Sequence, residues 1–224
     1  MSSDANLVVI IPVLASAGGV DDMLRPIRGR SSFQRTIDAA LAELDQVQVV
    51  VTTDDPRITA AVTAINDSRL HAHSRQIIPY TPAVSAVAEA YESDLVVVLE
   101  PTHPFRPAGL IARTVRNLRA RADLDSVVCV RRFKANLWQA REDGLIDALG
   151  LGGNRTIPTY YQELVGLGLA TRRHVLGNGQ RLGDAVGFEL VDQIWGLVDI
   201  HDATGLALAE ALADHVAQLE DHLK

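Results

Sequence analysis

Short runs of β-branched and other apolar residues alternate along this chain with longer segments of helical period. That alternation predicts strand–helix–strand units and a mostly parallel sheet covered on both faces. The strand candidates are 7–13, 47–52, 94–99 and 125–131, with helix candidates between them at about 32–44, 56–66, 82–92 and 107–122. Start signals accompany three of the helices: Ser32 before the first, Asp55-Pro56 at the second, and Pro107 near the start of the fourth, where a missing N–H costs nothing. A last helix over about 202–223 places Leu206, Ala209, Leu212, Val216, Leu219 and Leu223 at spacings of three and four. The resulting stripe packs on the sheet, or less readily serves a coiled-coil partner. From 133 to 185 the pattern loosens, with Gly144, Gly150, Gly152, Gly153, Gly166, Gly168, Gly177, Gly179 and Gly183 punctuating short strand-like pieces. Such a segment would cover a site or build a dimer arm. There is no internal repeat and no low-complexity linker, so residues 1–224 read as one doubly wound, Rossmann-like α/β domain.

Composition narrows the function classes. Of 224 residues, 47% are hydrophobic, which is enough for one substantial core, and the formal charge is −7 with no long basic run. A nucleic-acid partner is therefore not expected. Cys129 is the only cysteine, so the chain has no internal disulfide and no cysteine cluster for zinc. Its place in the run Ser126-Val127-Val128-Cys129-Val130 makes it a buried strand residue rather than a reactive thiol. The apolar start at Leu7–Ile11 followed by Ala15-Ser16-Ala17 superficially resembles a secretory signal, but no basic region precedes it and Pro12 interrupts it. No stretch approaches the ~20 apolar residues needed to span a bilayer. A cytoplasmic protein with no membrane partner is the expectation.

In an open α/β sheet, ligands bind outside the carboxyl ends of the strands, and four segments there carry unusual residues. The first is Leu14-Ala15-Ser16-Ala17-Gly18-Gly19, small residues that would let backbone N–H groups approach a phosphate. It is neither a Walker loop nor a GxGxxG fingerprint, and a plain tight loop is an equal reading. Arg25, Arg28 and Arg30 follow, as phosphate forks or as a solvated basic loop. The second segment, Thr52-Thr53-Asp54-Asp55, and the third, Glu100-Pro101-Thr102-His103-Pro104-Phe105-Arg106, would meet at the same edge. Asp55 also reads as a helix cap and Thr102 as a turn residue. In the fourth, Val198-Asp199-Ile200-His201-Asp202, alternation turns Asp199 and His201 to one side, where they could hold a divalent ion against phosphate oxygens. Asp202 also reads as a cap. His71 and His73 share a strand face but lack further ligands for a metal.

Taken in order, these segments resemble the acylneuraminate cytidylyltransferase family, which includes the CMP-sialic acid synthetases and is related to the CMP-Kdo synthetases. The pieces that carry the resemblance are Ile11-Pro12, Val51-Thr52-Thr53-Asp54-Asp55, Leu99-Glu100-Pro101-Thr102-His103-Pro104-Phe105-Arg106 and Asp199-Ile200-His201. The family's corresponding motifs are a strand with Ile-Pro-Ala-Arg-Gly-Gly-Ser-Lys, then Val-Ser-Thr-Asp-Asp, Leu-Gln-Pro-Thr-Ser-Pro-Leu-Arg and Asp-Ile-Asp. The resemblance implies a sheet of the nucleotide-diphospho-sugar transferase type. It also implies transfer of CMP from CTP to an acidic sugar or related acceptor, with release of pyrophosphate and dependence on Mg2+. By the same resemblance Leu14, Ala15, Ser16, Gly18 and Gly19 cradle the triphosphate, while Arg75 and Ser85 meet the nucleotide; Arg25, as a catalytic group, and Arg28 would replace the family's loop cations only if the loop folds differently. Glu100, Thr102, Arg106 and Tyr161 face the acceptor, Asp199 and His201 hold the metal, and the 133–185 segment makes a homodimer.

The departures from the family pattern change the picture. Leu14 and Gly18 stand where the family has Arg and Lys, Met23-Leu24 where it has Lys-Asn, and Asp21 and Asp22 bring negative charge to the same loop. Losing such a phosphate contact costs several kcal/mol of transition-state stabilisation. Glu100 replaces Gln, and His201 replaces the second Asp. The expectations are therefore an active cytidylyltransferase with an atypical acceptor, a catalytically silent homologue that binds a nucleotide or a partner protein, or a transferase using another nucleotide.

Overall fold

The computed structural model describes residues 6–15, 19–149 and 157–222. β1 (Leu7–Val13) leads to the short helix α1 (Val20–Leu24), a hairpin of β2 (Pro26–Ile27) and β3 (Arg30–Ser31), and α2 (Ser32–Glu43). Next come β4 (Gln48–Thr53), α3 (Pro56–Ile65), β5 (Leu70–Ser74), α4 (Tyr80–Ala90), β6 (Leu95–Val98), α5 (Leu110–Ala120) and β7 (Ser126–Lys134). The second part comprises β8 (Leu137–Ala140), β9 (Ile146–Leu149), β10 (Thr159–Glu163), β11 (Leu169–Arg172), α6 (Arg173–Gly177), β12 (Val186–Leu190) and α7 (Ala203–His222).

Among the described residues the main sheet has eight strands. β6, β1, β4 and β5 lie side by side and parallel. β11 runs antiparallel between β6 and β7, and β7 also pairs with β12 in parallel and with β10 in antiparallel fashion. β8 and β9 form a separate hairpin. The alternation of side chains along a strand assigns the two faces. Val9, Ile11 and Val13 of β1 pack with Phe33 and Ile37 of α2, Ile58 of α3, Val115 of α5, and Leu206 and Val216 of α7. Val8 and Ile10 point the other way, against Val84 and Val87 of α4 and Leu176 of α6. Helices thus cover both faces, and the doubly wound, mostly parallel sheet expected from the apolar runs is the observed one.

Local chemistry fixes the helix starts. The cap of α2 is Ser31 rather than Ser32, its hydroxyl accepting from Gln34 N–H at 3.1 Å. Asp55 caps α3 ahead of Pro56, accepting from Arg57 N–H at 2.8 Å. Asp202 accepts from Gly205 N–H at 2.7 Å at the start of α7. Pro107 does not open its helix: α5 begins three residues later, behind Gly109 in the left-handed region, which has no side chain to cap with. Glu43, the last residue of α2, does this from across the interface. Its carboxylate accepts from the N–H groups of Gly109 and Ile111 at 2.8 Å and of Ala112 at 3.1 Å. A carboxylate on three helix-terminal N–H groups is favoured by both hydrogen bonding and the helix dipole. Cys129 is fully buried, and burial pushes its thiol up to about 11. None of the described helices is long and apolar enough to cross a membrane.

Glu43→Ala removes this cap, a loss of about 1–2 kcal/mol. With each kcal/mol worth about 2–4 °C at this chain length, thermal unfolding followed by circular dichroism is expected to show Tm lowered by about 2 to 8 °C. Glu43→Gln, which keeps one acceptor oxygen, falls between that variant and the parent.

Candidate functional site

A cleft of about 350 Å³ opens where the carboxyl ends of β1 and β6 diverge, the place at which a doubly wound sheet binds its ligands. Val13, Leu14 and Gly19 form the wall after β1, with Met23 of α1 beside them. Arg75, just past β5, and Tyr80, the first residue of α4, form a second wall. Glu100, Pro101 and Thr102, just past β6, and His201 form the third. A larger open depression, bordered by Glu89, Asp94, Arg172 and His174, lies at the opposite, amino-terminal end of β6 and brings none of the sequence-derived site residues together.

The loop after β1 is pinned by Asp54, whose Oδ1 accepts from Ala15 N–H at 2.7 Å. Ser16 and Gly18, expected to cradle phosphate, lie outside the described residues. Gly19 has φ of +75°, a conformation open to glycine. The nearby cations are engaged elsewhere. Arg25 pairs with Glu210 and Arg28 with Asp214, both at 3.0 Å and both on α7, while Arg30 pairs with Asp38 at 3.0 Å. Arg57 takes up Asp21 along with the cap residue Asp55. None of these arginines lines the cleft.

Arg75 does line it. Its backbone N–H donates to Thr53 O at 2.9 Å, which fixes the turn out of β5, and the residue is 8% exposed with Nε lacking a partner among the described residues. Thr102, 7% exposed, likewise leaves Oγ1 without a partner among the described residues. Orphaned buried polar atoms are costly, and of the five among the described residues these two belong to residues that line the cleft.

The 199–201 segment is held beside them by its backbone, with Ile200 N–H donating to Thr102 O at 2.9 Å. Gly205 permits that approach: a Cβ there would sit 1.9 Å from Asp199 O. Asp199 and His201 share a side, as alternation required, and His201 Nδ1–H donates to Asp199 Oδ1 at 2.6 Å. Among the described residues no group of three metal-ligating side chains is assembled. His71 and His73 are spaced on edge strand β5 against the ring of Tyr91.

Glu100 sits in the cleft with Tyr80 O–H donating to its Oε1 at 3.4 Å. Burial raises its carboxyl above the usual range and the Asp199 charge adds to the rise; His201, the Tyr80 hydrogen bond and Arg181 act against it. Tyr80 is also raised, chiefly by burial and then by Glu100. Gly166, at φ of +87°, backs the carboxylate so closely that a Cβ there would lie 2.8 Å from Glu100 Oε2.

The remaining expected site residues lie apart from this group. Arg106 turns inward. Its Nε donates to Leu167 O at 2.7 Å, Nη1 to Thr36 Oγ1 at 3.1 Å, and Nη2 to Glu100 O at 3.0 Å and Gly166 O at 3.4 Å. Burial brings its guanidinium down to about 10. Ser85 is buried within α4, its hydroxyl donating to Glu89 Oε1 at 3.5 Å. Tyr161 is half exposed on β10, its ring 5.3 Å from that of Phe188. Tyr80 and Arg181 were not singled out from sequence. The former precedes the visible periodicity of its helix, and the latter stands in a glycine-rich stretch without pattern.

No protein-family model matches the sequence, and no curated protein matches it. Solved structures do. The chain is similar to a CMP:2-keto-3-deoxy-manno-octonic acid synthetase complexed with CTP, at 17% identity and a TM-score of 0.72, over 94% of this chain and 99% of that one. It is also similar to 4-diphosphocytidyl-2C-methyl-D-erythritol synthase from Anaerococcus prevotii, at 15% identity and a TM-score of 0.70, over 94% of this chain and 96% of that one. The sheet is thus of the nucleotide-diphospho-sugar transferase type that the sequence motifs implied.

Arg106→Ala leaves Leu167 O, Glu100 O and Thr36 Oγ1 without this donor, while Gly166 O keeps the Glu100 N–H. The expected cost is about 3 kcal/mol, seen as a fall in Tm of about 6 to 12 °C in thermal unfolding.

Proposed function

We propose that this chain is a nucleotidyltransferase that binds CTP in the cleft and transfers CMP to an acidic sugar or related acceptor of atypical kind, releasing pyrophosphate. The observation that carries the reading is the pair of buried, partnerless groups, Arg75 Nε and Thr102 Oγ1, on the walls of a cleft at the carboxyl edge of the sheet. The cytidyl chemistry is supported by the names of the two structural neighbours and by the motifs around Thr52–Asp55 and Glu100–Arg106. In the reaction an acceptor oxygen forms a bond to the α-phosphorus of CTP, the bond from that phosphorus to the bridging oxygen breaks, and pyrophosphate leaves with the electron pair. Catalysis is then mostly positioning and charge neutralisation, the part assigned to Arg75.

Mg2+ fits this site through Asp199. A magnesium ion bridging phosphates takes one or two protein carboxylates and prefers oxygen ligands. His201, with Nδ1 already on Asp199 Oδ1, is the group that orients that carboxylate. Bound there, the ion would neutralise charge on the phosphate oxygens.

One observation favours a second reading, a silent homologue that retains nucleotide binding. The described part of the β1 loop carries no cation, and Arg25, Arg28 and Arg30 are ion-paired away from the cleft. Calorimetric titration with CTP and Mg2+, beside ATP, GTP and UTP, tests both. Selective CTP binding is expected, with affinity reduced about thirtyfold in Arg75→Ala, the equivalent of about 2 kcal/mol for a charge-assisted phosphate contact. CTP binding with no pyrophosphate release from any acceptor supports the silent homologue. No nucleotide binding at about millimolar concentration ends both readings.

A homodimer through the 133–185 segment belongs to the same proposal. Trp138 and Ile146 on the β8–β9 hairpin are 63% and 64% exposed, and Tyr161, Phe188 and Leu190 extend the apolar surface along β10 and β12. Light scattering is expected to give the mass of two chains, and Trp138→Glu with Ile146→Glu the mass of one.

A further inference from the structure

We infer that the acceptor half of the cleft takes a group that donates hydrogen bonds, an ammonium or a set of hydroxyls, and rejects a carboxylate at that place. The inference deepens the nucleotidyl-transfer reading above and rests on it. Its basis is the set of charges around Glu100. The carboxylate lines the cleft, with Asp199 and His201 close enough to act on it electrostatically. A substrate carboxylate there would need a free cation, and Arg106 and Arg181, the two arginines whose charge couples to Glu100, are committed elsewhere. Arg106 directs its donors to Leu167 O, Thr36 Oγ1, Glu100 O and Gly166 O, so it braces the main chain of Glu100 without meeting the carboxylate. Arg181, whose charge reaches Glu100 and Tyr80, places Nη2 on both oxygens of Glu163, at 2.7 and 2.8 Å.

Arg75 remains available, and it sits on the wall where the nucleotide phosphates claim it. Glu100 itself has little room to retreat. Gly166 stands directly behind it, and the Glu100 N–H donates to Gly166 O at 2.8 Å. Tyr80 occupies one carboxylate oxygen, leaving lone pairs on the other for a ligand's N–H or O–H groups. Like charges brought together in such a cleft cost several kcal/mol, whereas a donor group completes the site.

The test uses the full chain loaded with CTP and Mg2+ at about pH 7, titrated calorimetrically with three pyranoses of similar size: glucosamine, glucose and glucuronate. Glucosamine is expected to bind at least tenfold more tightly than glucuronate, with glucose between them. In Glu100→Gln the gap is expected to close to within about threefold, measured on protein saturated with CTP; Glu100→Ser serves if the Gln variant does not fold. Glucuronate binding as tightly as glucosamine, failure of glucosamine to bind the CTP-loaded protein, or an unchanged gap in the Glu100 variant overturns the inference and leaves the nucleotide reading standing. Failure of CTP itself to bind removes the reading beneath it, and the inference with it.

Discussion

Arg106 is a cation held in the interior by oxygen dipoles instead of a carboxylate, and much of the site's architecture follows from that choice. Its four acceptors belong to three parts of the chain: Thr36 on α2, Glu100 after β6, and Gly166 and Leu167 on the turn into β11. Removing a charge from water is tolerable only where the donors are met, so these parts cannot move independently. The Glu100–Thr102 wall of the cleft is set as a result, and Ile200 is hung from it through Thr102 O. The Glu43 cap works alongside, joining the end of α2 to the start of α5. The buried Arg106 guanidinium and the part-buried Glu43 carboxylate thus brace the wall, each met chiefly by peptide groups.

The charge distribution around the cleft follows from similar commitments. Arginines close in sequence to the β1 loop are paired with acidic residues of α7, so among the described residues the arginine on the cleft wall is Arg75, buried and fixed by its own backbone bond to Thr53. Exposed pairs such as Arg28–Asp214 contribute little stability each. What they do is hold the β2–β3 hairpin against the last helix.

The strands β1, β4, β6 and the first half of β7 were legible because each is a mostly apolar run buried on both faces, and α2 to α5 and α7 because their periodicity was clear; the five-residue helices α1 and α6 are too short to show one. β5 was not, since Leu70-His71-Ala72-His73-Ser74 is an edge strand with one fully buried side chain. β11 is only four residues long, and its pairing with both β6 and β7 is set by tertiary position. At the site, alternation foresaw that Asp199 and His201 share a side. The direction of Arg106 could not be read, because its acceptors lie 61 and 70 residues away in the chain for Leu167 and Thr36. The destination of Arg25 and Arg28 depends on a helix about 185 residues later, a distance at which sequence pattern carries no information.

The antiparallel strand β11 lies between β6 and β7, yet it follows both along the chain. A growing polypeptide can therefore pair β6, β1, β4 and β5 as they emerge, and β10 can pair with the far end of β7, but the Ser126–Val128 part of β7 has no neighbour on the β6 side until Leu169–Arg172 has been made. The same late segment brings the carbonyl groups of Gly166 and Leu167 that Arg106 requires. During synthesis the first part of the sheet thus precedes the cleft, and a ribosome-bound chain that stops short of β11 exposes the unpaired edges of β6 and β7 to chaperones or to other chains.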